Sequence, residues 1–532
     1  MNGEGAAIRE SAVGERTRPA WMKWAIALTV SFGAVLQIID VSIVNVSIPQ
    51  MQGNLGATVS EIGWVVTGYA IANAIVIPLT AWLGGYFGQK AYFLFSLIAF
   101  VLASVMCGMA GSLRMLIVAR VLQGLFGGGL VPRAQAIMFE TFPPQEIGIA
   151  QAIFGIGIIV GPTFGPTLGG YITDTLGWRW IFFINVPVGI LAVLMATAFL
   201  PPSTAPRDNK RAVDWAGIAL LAIWLGSFQT FLEEGENDGW FESGFIVRLA
   251  IIAAVGLILF VWRELTVRHP AVDLRVLRHR ALAAGSLYAI ALGVSLFGTI
   301  FVIPIFTQRI LGFSAVQTGE LLIPGALASA LVMPLVGIFI IKVDARLAIG
   351  FGSVVIGFSM FLLSQVNINT GAHDLLWPLI LRGAGMGFMF IPLSIATLGA
   401  IPKKDIPAAS GFFNLTRQIG GSIGVAMLAT VLENRQAFHY DRLVENISVY
   451  NPPAQQFLSQ TQQAMTARGF DAVTAQQMAV AMAEKSTRLQ AMIMSFDDVY
   501  ILVAWMFLLS IPLVLFLGRG SKAARPSGAR MG

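Results

Sequence analysis

Charge is what this sequence has least of. Only 12% of its 532 residues are Asp, Glu, Lys or Arg, about half the share of a soluble chain, and that excludes an ordinary water-soluble domain. A single cysteine, Cys107, rules out an intramolecular disulfide. The four histidines (His269, His279, His373 and His439) fall at loops or ends of apolar runs without metal-ligand spacing, so no metal site is expected. No G-x-x-x-x-G-K-[ST] phosphate loop occurs, and the glycine runs "GIGIIVG" (155–161) and "GAGMG" (383–387) lie in apolar stretches with no strand before them. ATP and dinucleotides are therefore not expected; no cofactor is, and active work would draw on an ion gradient or a partner. The first twenty residues are polar and lack a signal-peptide pattern. No nucleophile–base set appears in the apolar runs, which points away from an enzyme.

What is there is hydrocarbon. The chain is 56% apolar, with a mean hydropathy of +0.75, in recurrent nearly uncharged runs of 18 residues or more. Each suffices to cross a core of about 30 Å. Alternation over about ten residues, the mark of a barrel strand, is missing. The fold class is thus an all-α polytopic membrane protein. Fourteen spans are predicted near 24–48, 61–83, 91–110, 113–137, 148–172, 180–200, 213–232, 244–262, 282–307, 315–341, 345–366, 374–398, 408–431 and 498–518.

An even count puts both termini on one side, and the positive-inside rule makes that side cytoplasmic. Arg9, Arg16, Arg18 and Lys23, Lys90, Arg207, Lys210 and Arg211, the Arg-rich stretch 263–280, Lys342 and Arg346, Lys403 and Lys404, and the tail's Arg519, Lys522, Arg525 and Arg530 all fall in its loops. Loops on the other side hold few cations, and 233–242, "EEGENDGWFE", is acidic. The net charge of +6 is thereby scattered over short loops and forms no nucleic-acid surface. Segment 432–497 is outward-facing and too long to be a turn; Met478, Met482, Leu489 and Ile493 share a helical face within it. One or two amphipathic helices are expected, either packed on the protein's own outer surface or docking a partner.

Few ionisable groups lie inside the spans: Asp40 in span 1, Arg120 in span 4, Arg382 in span 12 and Arg417 in span 13. A charge at mid-membrane costs about 2.5–3.5 kcal/mol on insertion scales and so seeks a cavity or a partner. Asp40 lies eight residues before Ile48 and Arg120 seven after Leu113, about 12 and 10 Å inward from the outer surface at 1.5 Å per residue. At matching depth they are able to pair. The pair is read as either a fixed structural tie or a carboxylate whose proton affinity depends on a mobile arginine. In span 5, Gly157, Gly161, Gly165 and Gly169 repeat every fourth residue, a smooth face for close helix approach, while Pro162 and Pro166 weaken the backbone ladder.

At these residues the chain resembles the fourteen-span drug:proton antiporters of the major facilitator superfamily, EmrB/QacA type. The resemblance runs through "LQIIDVSIVNVSIP" (36–49), "WVVTGYAIANAIVIPLTAWL" (64–83), "RVLQGLFGGG" (120–129), "GPTFGPTLGG" (161–170), "WRWIFFINVPVG" (178–189) and "LTRQIGGSIG" (415–424). "NPPAQQF" (451–457) and the long outward segment resemble the EmrB branch, whose pumps work in the inner membrane with a periplasmic adaptor and an outer-membrane channel. One stretch departs: in "AWLGGYFGQK" (81–90), Gly85 stands where the family has an acid and Tyr86 where it has a base, although Gly88 and Lys90 fit the gating loop.

The resemblance implies the major facilitator fold with 14 transmembrane helices: a cytoplasmic tail 1–23, a six-helix bundle 24–200, an inserted pair 201–262, a basic linker 263–281, a second six-helix bundle 282–518 that includes the periplasmic loop 432–497, and a tail 519–532. It implies Asp40 and Arg120 as proton-coupling residues, the glycines and prolines of span 5 as the antiporter motif, and a cavity with Gln37, Asn45, Gln123, Asn414, Arg417 and Arg382 as polar lining. The expected function is proton-driven export of small hydrophobic or amphiphilic compounds. Export of one metabolite, a lipid-like acid or a siderophore, is the alternative; a non-transporting sensor is a rival from another class, set back by the lack of a soluble signalling domain.

Overall fold

The computed structural model describes residues 19–202 and 213–517, apart from Ile341, Ile368, Asn446 and Val449. The tail through Arg18, the stretch with Arg207, Lys210 and Arg211, and the tail 519–532 lie outside the described residues. Among those described, no strand occurs and fourteen helices are long and apolar enough to span a membrane.

The spans are α1 (Ala20–Leu55), α2 (Val59–Phe87), α3 (Gln89–Gly108), α4 (Leu113–Thr141), α5 (Ile147–Leu176), α6 (Trp180–Phe199), α7 (Trp215–Glu234), α8 (Gly244–Thr266), α9 (Arg280–Arg309), α10 (Ala315–Phe339), α11 (Ala345–Leu363), α12 (Ala372–Leu398), α13 (Ile406–Val444) and, after the shorter α14 (Pro452–Ala467), α15 (Ala472–Ser510). The surface on which α1 begins is called the terminal face.

Polar residues at the ends set where these helices start. Thr58 and Glu61 form a capping box at α2, as Ser314 and Gln317 do at α10; Asp214 and Asp471 accept backbone N–H bonds at the starts of α7 and α15. Gly88 alone separates α2 from α3, at φ 92°, a conformation that disfavours any residue with a Cβ. Beside it Lys90 donates from Nζ to the carbonyls of Thr197 and Leu200, 2.7 Å each, closing the carboxyl end of α6. In the departing stretch, Tyr86 stacks on Trp82 at 5.7 Å, an aromatic contact where the family motif carries charge.

The spans differ from expectation mainly in length. Pro49 does not end α1, which continues to Leu55 and stops at left-handed Gly56. Segment 432–497 is no separate loop: α13 runs on to Val444 and α15 begins at Ala472, 26 residues before the span expected at 498. His439 accordingly lies on a helix, where it and Arg435 both meet Asp498, at 2.7 and 2.5 Å.

Helices 1–6 and 9–13 with 15 follow one packing order. In the first set α1 packs on α5 and α6, α2 on α4, and α3 on α4 and α6; in the second α9 packs on α13 and α15, α10 on α12, and α11 on α12 and α15. These are two six-helix bundles. The α7–α8 pair, with Trp224 stacked on Phe260 at 5.6 Å, leans through α7 on α2 and α13. Side chains such as Phe95, Leu102, Ile258 and Leu331 point outward and exposed, the lipid-facing belt a polytopic protein needs.

Glycine sets how closely helices approach. The stripe on α5 faces α1: a Cβ on Gly157 meets Val35, on Gly161 Ile38, on Gly165 Ser42 and on Gly169 the Ile43 backbone. Gly165 has a further consequence. Pro166 has no N–H, so the carbonyl of Pro162 loses its helical donor, and Ser42 Oγ donates to it at 2.9 Å across the gap that Gly165 leaves open.

Candidate functional site

Asp40 sits on α1 with 1% exposure, and side chains of α4 and α6 reach it. Arg120 of α4 reaches across so that its Nη1 lies 2.6 Å from Asp40 Oδ2. One turn on, Gln123 donates from Nε2 to Asp40 Oδ1 at 2.8 Å and accepts from Arg120 Nη1 at 2.7 Å. Asn185 of α6 gives the same carboxylate oxygen a third N–H at 2.7 Å and donates to Ser104 Oγ of α3 at 3.0 Å. Ser104 in turn donates to the Phe182 carbonyl at 2.9 Å. The arginine is completed by the Val65 carbonyl, 3.2 Å from Nε, and by the face of Tyr69, 4.1 Å from its guanidinium carbon.

This is a buried ion pair with its hydrogen bonds made. Three charge-assisted or amide N–H groups donate to the carboxyl oxygens, and the aromatic face partly replaces water for the cation. A proton on Asp40 removes its charge and turns one oxygen into a donor, so the one bond at Oδ2 or the two at Oδ1 must rearrange.

Direct contact between Asp40 and Arg120 does not rest on matching helix ends. Because α1 extends to Leu55, Asp40 lies 15 residues from that end, while Arg120 is seven residues inside α4; α1 reaches further out than α4.

A second polar cluster joins the bundles in the half nearer the terminal face. Gln135 of α4 accepts at Oε1 from Asn414 Nδ2 at 2.6 Å and from Ser410 Oγ at 3.3 Å; its own Nε2 donates to Ser394 of α12 at 3.3 Å. Ser410 Oγ also lies 2.8 Å from the Pro132 carbonyl. Arg417 Nη2 donates to Asn414 Oδ1 at 2.7 Å, and its guanidinium lies 5.5 Å from the Phe390 ring centre. Alongside, Gly148 of α5 and Gly337 of α10 meet backbone to backbone.

The residues expected to line a cavity therefore separate. Gln123 belongs to the Asp40 knot, and Asn414 and Arg417 to the inter-bundle cluster. Gln37 is buried on α1 with no partner for Oε1, whereas Asn45 is exposed. Arg382 is half-buried on α12, where its Nε donates to Thr299 of α9 at 3.0 Å. Asn185, Ser104, Gln135 and the buried Arg133, which pairs with Glu140 at 2.9 Å, were not singled out from sequence. For Gln135 nothing marks it; for its partners the spacing Ser410, Asn414, Arg417 is a polar helical stripe in an apolar span and was readable.

The profile of the Major Facilitator Superfamily matches residues 30–425. Over 492 residues the chain is 35% identical to the multidrug export protein EmrB of Escherichia coli K12, covering 92% of this chain and 94% of that one. It is 32% identical over 433 residues to the fatty acid resistance protein FarB of Neisseria gonorrhoeae, covering 81% and 85%. Among solved structures it superposes on the human organic anion transporter MFSD10 (TETRAN) with a TM-score of 0.56 at 13% identity, over 92% of this chain and all of that one, a likeness of fold. On that breadth of match the chain belongs to the Major Facilitator Superfamily and is an EmrB-type multi-pass membrane transporter, not an enzyme.

Proposed function

We propose that this protein exports small hydrophobic and amphiphilic compounds in exchange for protons, by alternating access between its two bundles. Asp40 carries the proton and Arg120 modulates it. The observation that carries this reading is the closed knot of Asp40, Arg120, Gln123 and Asn185, which draws on α1, α4 and α6. Protonating Asp40 frees Arg120 and loosens α1 against α4. The stripe of α5 glycines lies on that same α1, so the movement passes to α5, which packs on α10 of the other bundle. The reading agrees with the names of the relatives: multidrug export for EmrB, fatty acid resistance for FarB.

The terminal face is then cytoplasmic and the membrane is a bacterial inner membrane. The ends of α13 and α15, with α14 packed on α15, stand on the outer side, where they offer an adaptor leading to an outer-membrane channel something to grip. Crosslinks between this extension and a co-expressed adaptor test that role, and undiminished resistance after its deletion removes it.

Proteoliposomes test the central reading. Efflux of a hydrophobic dye is expected to follow an imposed pH gradient, and Asp40→Asn is expected to abolish gradient-driven movement in protein that remains folded. Efflux indifferent to pH, or unchanged in Asp40→Asn, ends the antiport proposal.

A further inference from the structure

Inside the first bundle, buried polar atoms without a hydrogen-bond partner among the described residues fall in one file. They are Gln37 Oε1 on α1, Tyr69 Oη and Asn73 Nδ2 on α2, Tyr92 Oη on α3 and Arg133 Nε on α4. All five side chains are less than one-tenth exposed. Polar atoms buried in this way are normally bonded to protein or to ordered water, so a run of them calls for a common partner.

The file begins at the Asp40 knot. Gln37 lies one turn before Asp40, and the Tyr69 ring carries the Arg120 guanidinium at 4.1 Å. Gln37 and Asn73 are the polar neighbours of the Tyr69 hydroxyl. Tyr69, Asn73 and Thr80, at offsets of four and eleven residues, share one face of α2. Thr80 and Ser96 flank the Tyr92 hydroxyl, and the charge of Arg133 reaches it. Arg133 pairs with Glu140 at 2.9 Å, and the Glu140 side chain is 30% exposed, one residue before α4 ends at the terminal face. From Arg120 to Glu140 is about 30 Å along α4 at 1.5 Å per residue.

The glycines at 127–129 make α4 thin enough to admit the hydroxyls. A Cβ on Gly129 would stand 2.0 Å from Tyr92 Oη, and one on Gly127 3.5 Å from Tyr69 Oη. The arginines at the two ends are each matched by a carboxylate, Asp40 and Glu140, so no unmatched cation there repels a proton. Asn73 Nδ2 and Arg133 Nε donate, Gln37 Oε1 accepts, and the two hydroxyls do both. That is the mixture a bridging water uses.

We propose that water bridging these atoms forms a proton path within the first bundle, from Asp40 past Tyr69 and Tyr92 to Glu140 at the terminal face, separate from the substrate's route between the bundles. Each hydroxyl accepts one proton as it donates its own, so charge passes without ionising the tyrosine. The proton that leaves Asp40 is handed on link by link, and one is released from Glu140 to the water outside. The proton's part rests on the antiport reading; the water file does not.

Radiolytic hydroxyl footprinting of purified full-length protein tests the file without any flux, since buried side chains are modified only where water lies against them. Tyr69 and Tyr92 are expected to be modified. Tyr288, equally buried but with its hydroxyl bonded to Ser353, is expected to be spared. Tyr69 and Tyr92 as unreactive as Tyr288 overturn the proposal, and this arm needs no variant. Proteoliposomes then read the proton. Tyr92→Phe is expected to slow pH-driven efflux about tenfold, the scale of one lost link. Substrate–substrate counterflow at equal pH, which moves no net proton, is expected to stay near the wild-type rate, and Tyr69→Phe to act in the same direction. Undiminished pH-driven efflux in both folded variants overturns the proton path, as does equal slowing of counterflow, which makes the hydroxyls structural. Modified tyrosines in a wild type whose efflux ignores pH sink antiport and leave the water file standing.

Discussion

The two bundles share one packing order and treat their central arginines in opposite ways. In the first, Arg120 is enclosed by Asp40, Gln123, the Val65 carbonyl and the Tyr69 ring. In the second, Arg382 has Thr299, and Arg417 has Asn414 and the edge of an aromatic pocket. The fold supplies the position of a cation twice, and sequence decides whether it is neutralised from within. A neutralised pair suits a proton, which needs no room.

Removing the cations is the harshest way to break that comparison. Arg120→Gln leaves Asp40 buried without its counter-charge, and for a buried pair cut on one side the expected loss is about 3–5 kcal/mol. Arg382→Gln removes a cation with no carboxylate partner and is expected to cost under about 1 kcal/mol or to stabilise. Thermal unfolding of the two variants in one detergent reads both, and Asp40→Asn with Arg120→Gln is expected to recover much of the first loss. Equal losses at the two arginines erase the distinction between the bundles.

Helix approach sharpens it next. On α13, a Cβ at Gly420 falls 2.3 Å from the Ile290 carbonyl, which is backbone and cannot turn away. On α5, a Cβ at Gly161 falls 3.1 Å from the Cγ2 methyl of Ile38, a side-chain contact that a shift of a few tenths of an ångström relieves. Gly420→Ala is expected to cost about 2–3 kcal/mol, near the upper end for overpacking. Gly161→Ala is expected near zero, since alanine's helix propensity returns up to about 1 kcal/mol. The same melts decide it.

The contact that couples the bundles is weaker. Asn414→Ala removes the 2.6 Å bond to Gln135 and the acceptor for Arg417. One such bond contributes about 1 kcal/mol, a shift of roughly fivefold in an open–closed equilibrium. Spin labels placed across the terminal face on α4 and α13 are expected to show the longer-distance population rise by that factor. An unchanged distribution assigns the closure to the glycine contacts of α5 and α10 alone.

These differences were unevenly legible in the sequence. Hydropathy located every span, because leaving the membrane changes composition sharply. It misplaced the ends of α1, α13 and α15, because a helix that leaves lipid need not stop: water or neighbouring helices satisfy the residues that follow. Asp40 and Arg120 stood out as charges in apolar runs. Asn185 did not, being a neutral residue in "FFINVPV", and only the fold brings it to Asp40. Asn45 failed for a geometric reason. Five residues past Asp40 at about 100° each, it points roughly 140° away from the knot, whereas Gln37, three before, is turned by about 60° and is buried.

The second bundle does meet carboxylates at its end away from the terminal face, and there the smallest effect is expected. A cavity of about 620 Å³ opens on the face opposite the termini, lined by Arg309 of α9, Glu433 of α13 and Arg488 of α15, with Glu236 from the α7–α8 loop. Burial, and then Glu433, raise the Glu236 carboxyl above its ordinary value, against a smaller lowering by Arg309. A carboxyl raised in the folded state costs stability once pH exceeds that raised value and has no effect below the ordinary one. Glu236→Gln is therefore expected to raise the melting temperature at pH 8 and leave it unchanged at pH 4. The gain is a few tenths of a kcal/mol at most, because the half-buried group remains screened by water. A gain that is larger at pH 4 than at pH 8 means that Arg309, not Glu433, dominates this end, and that the second bundle neutralises its cation there.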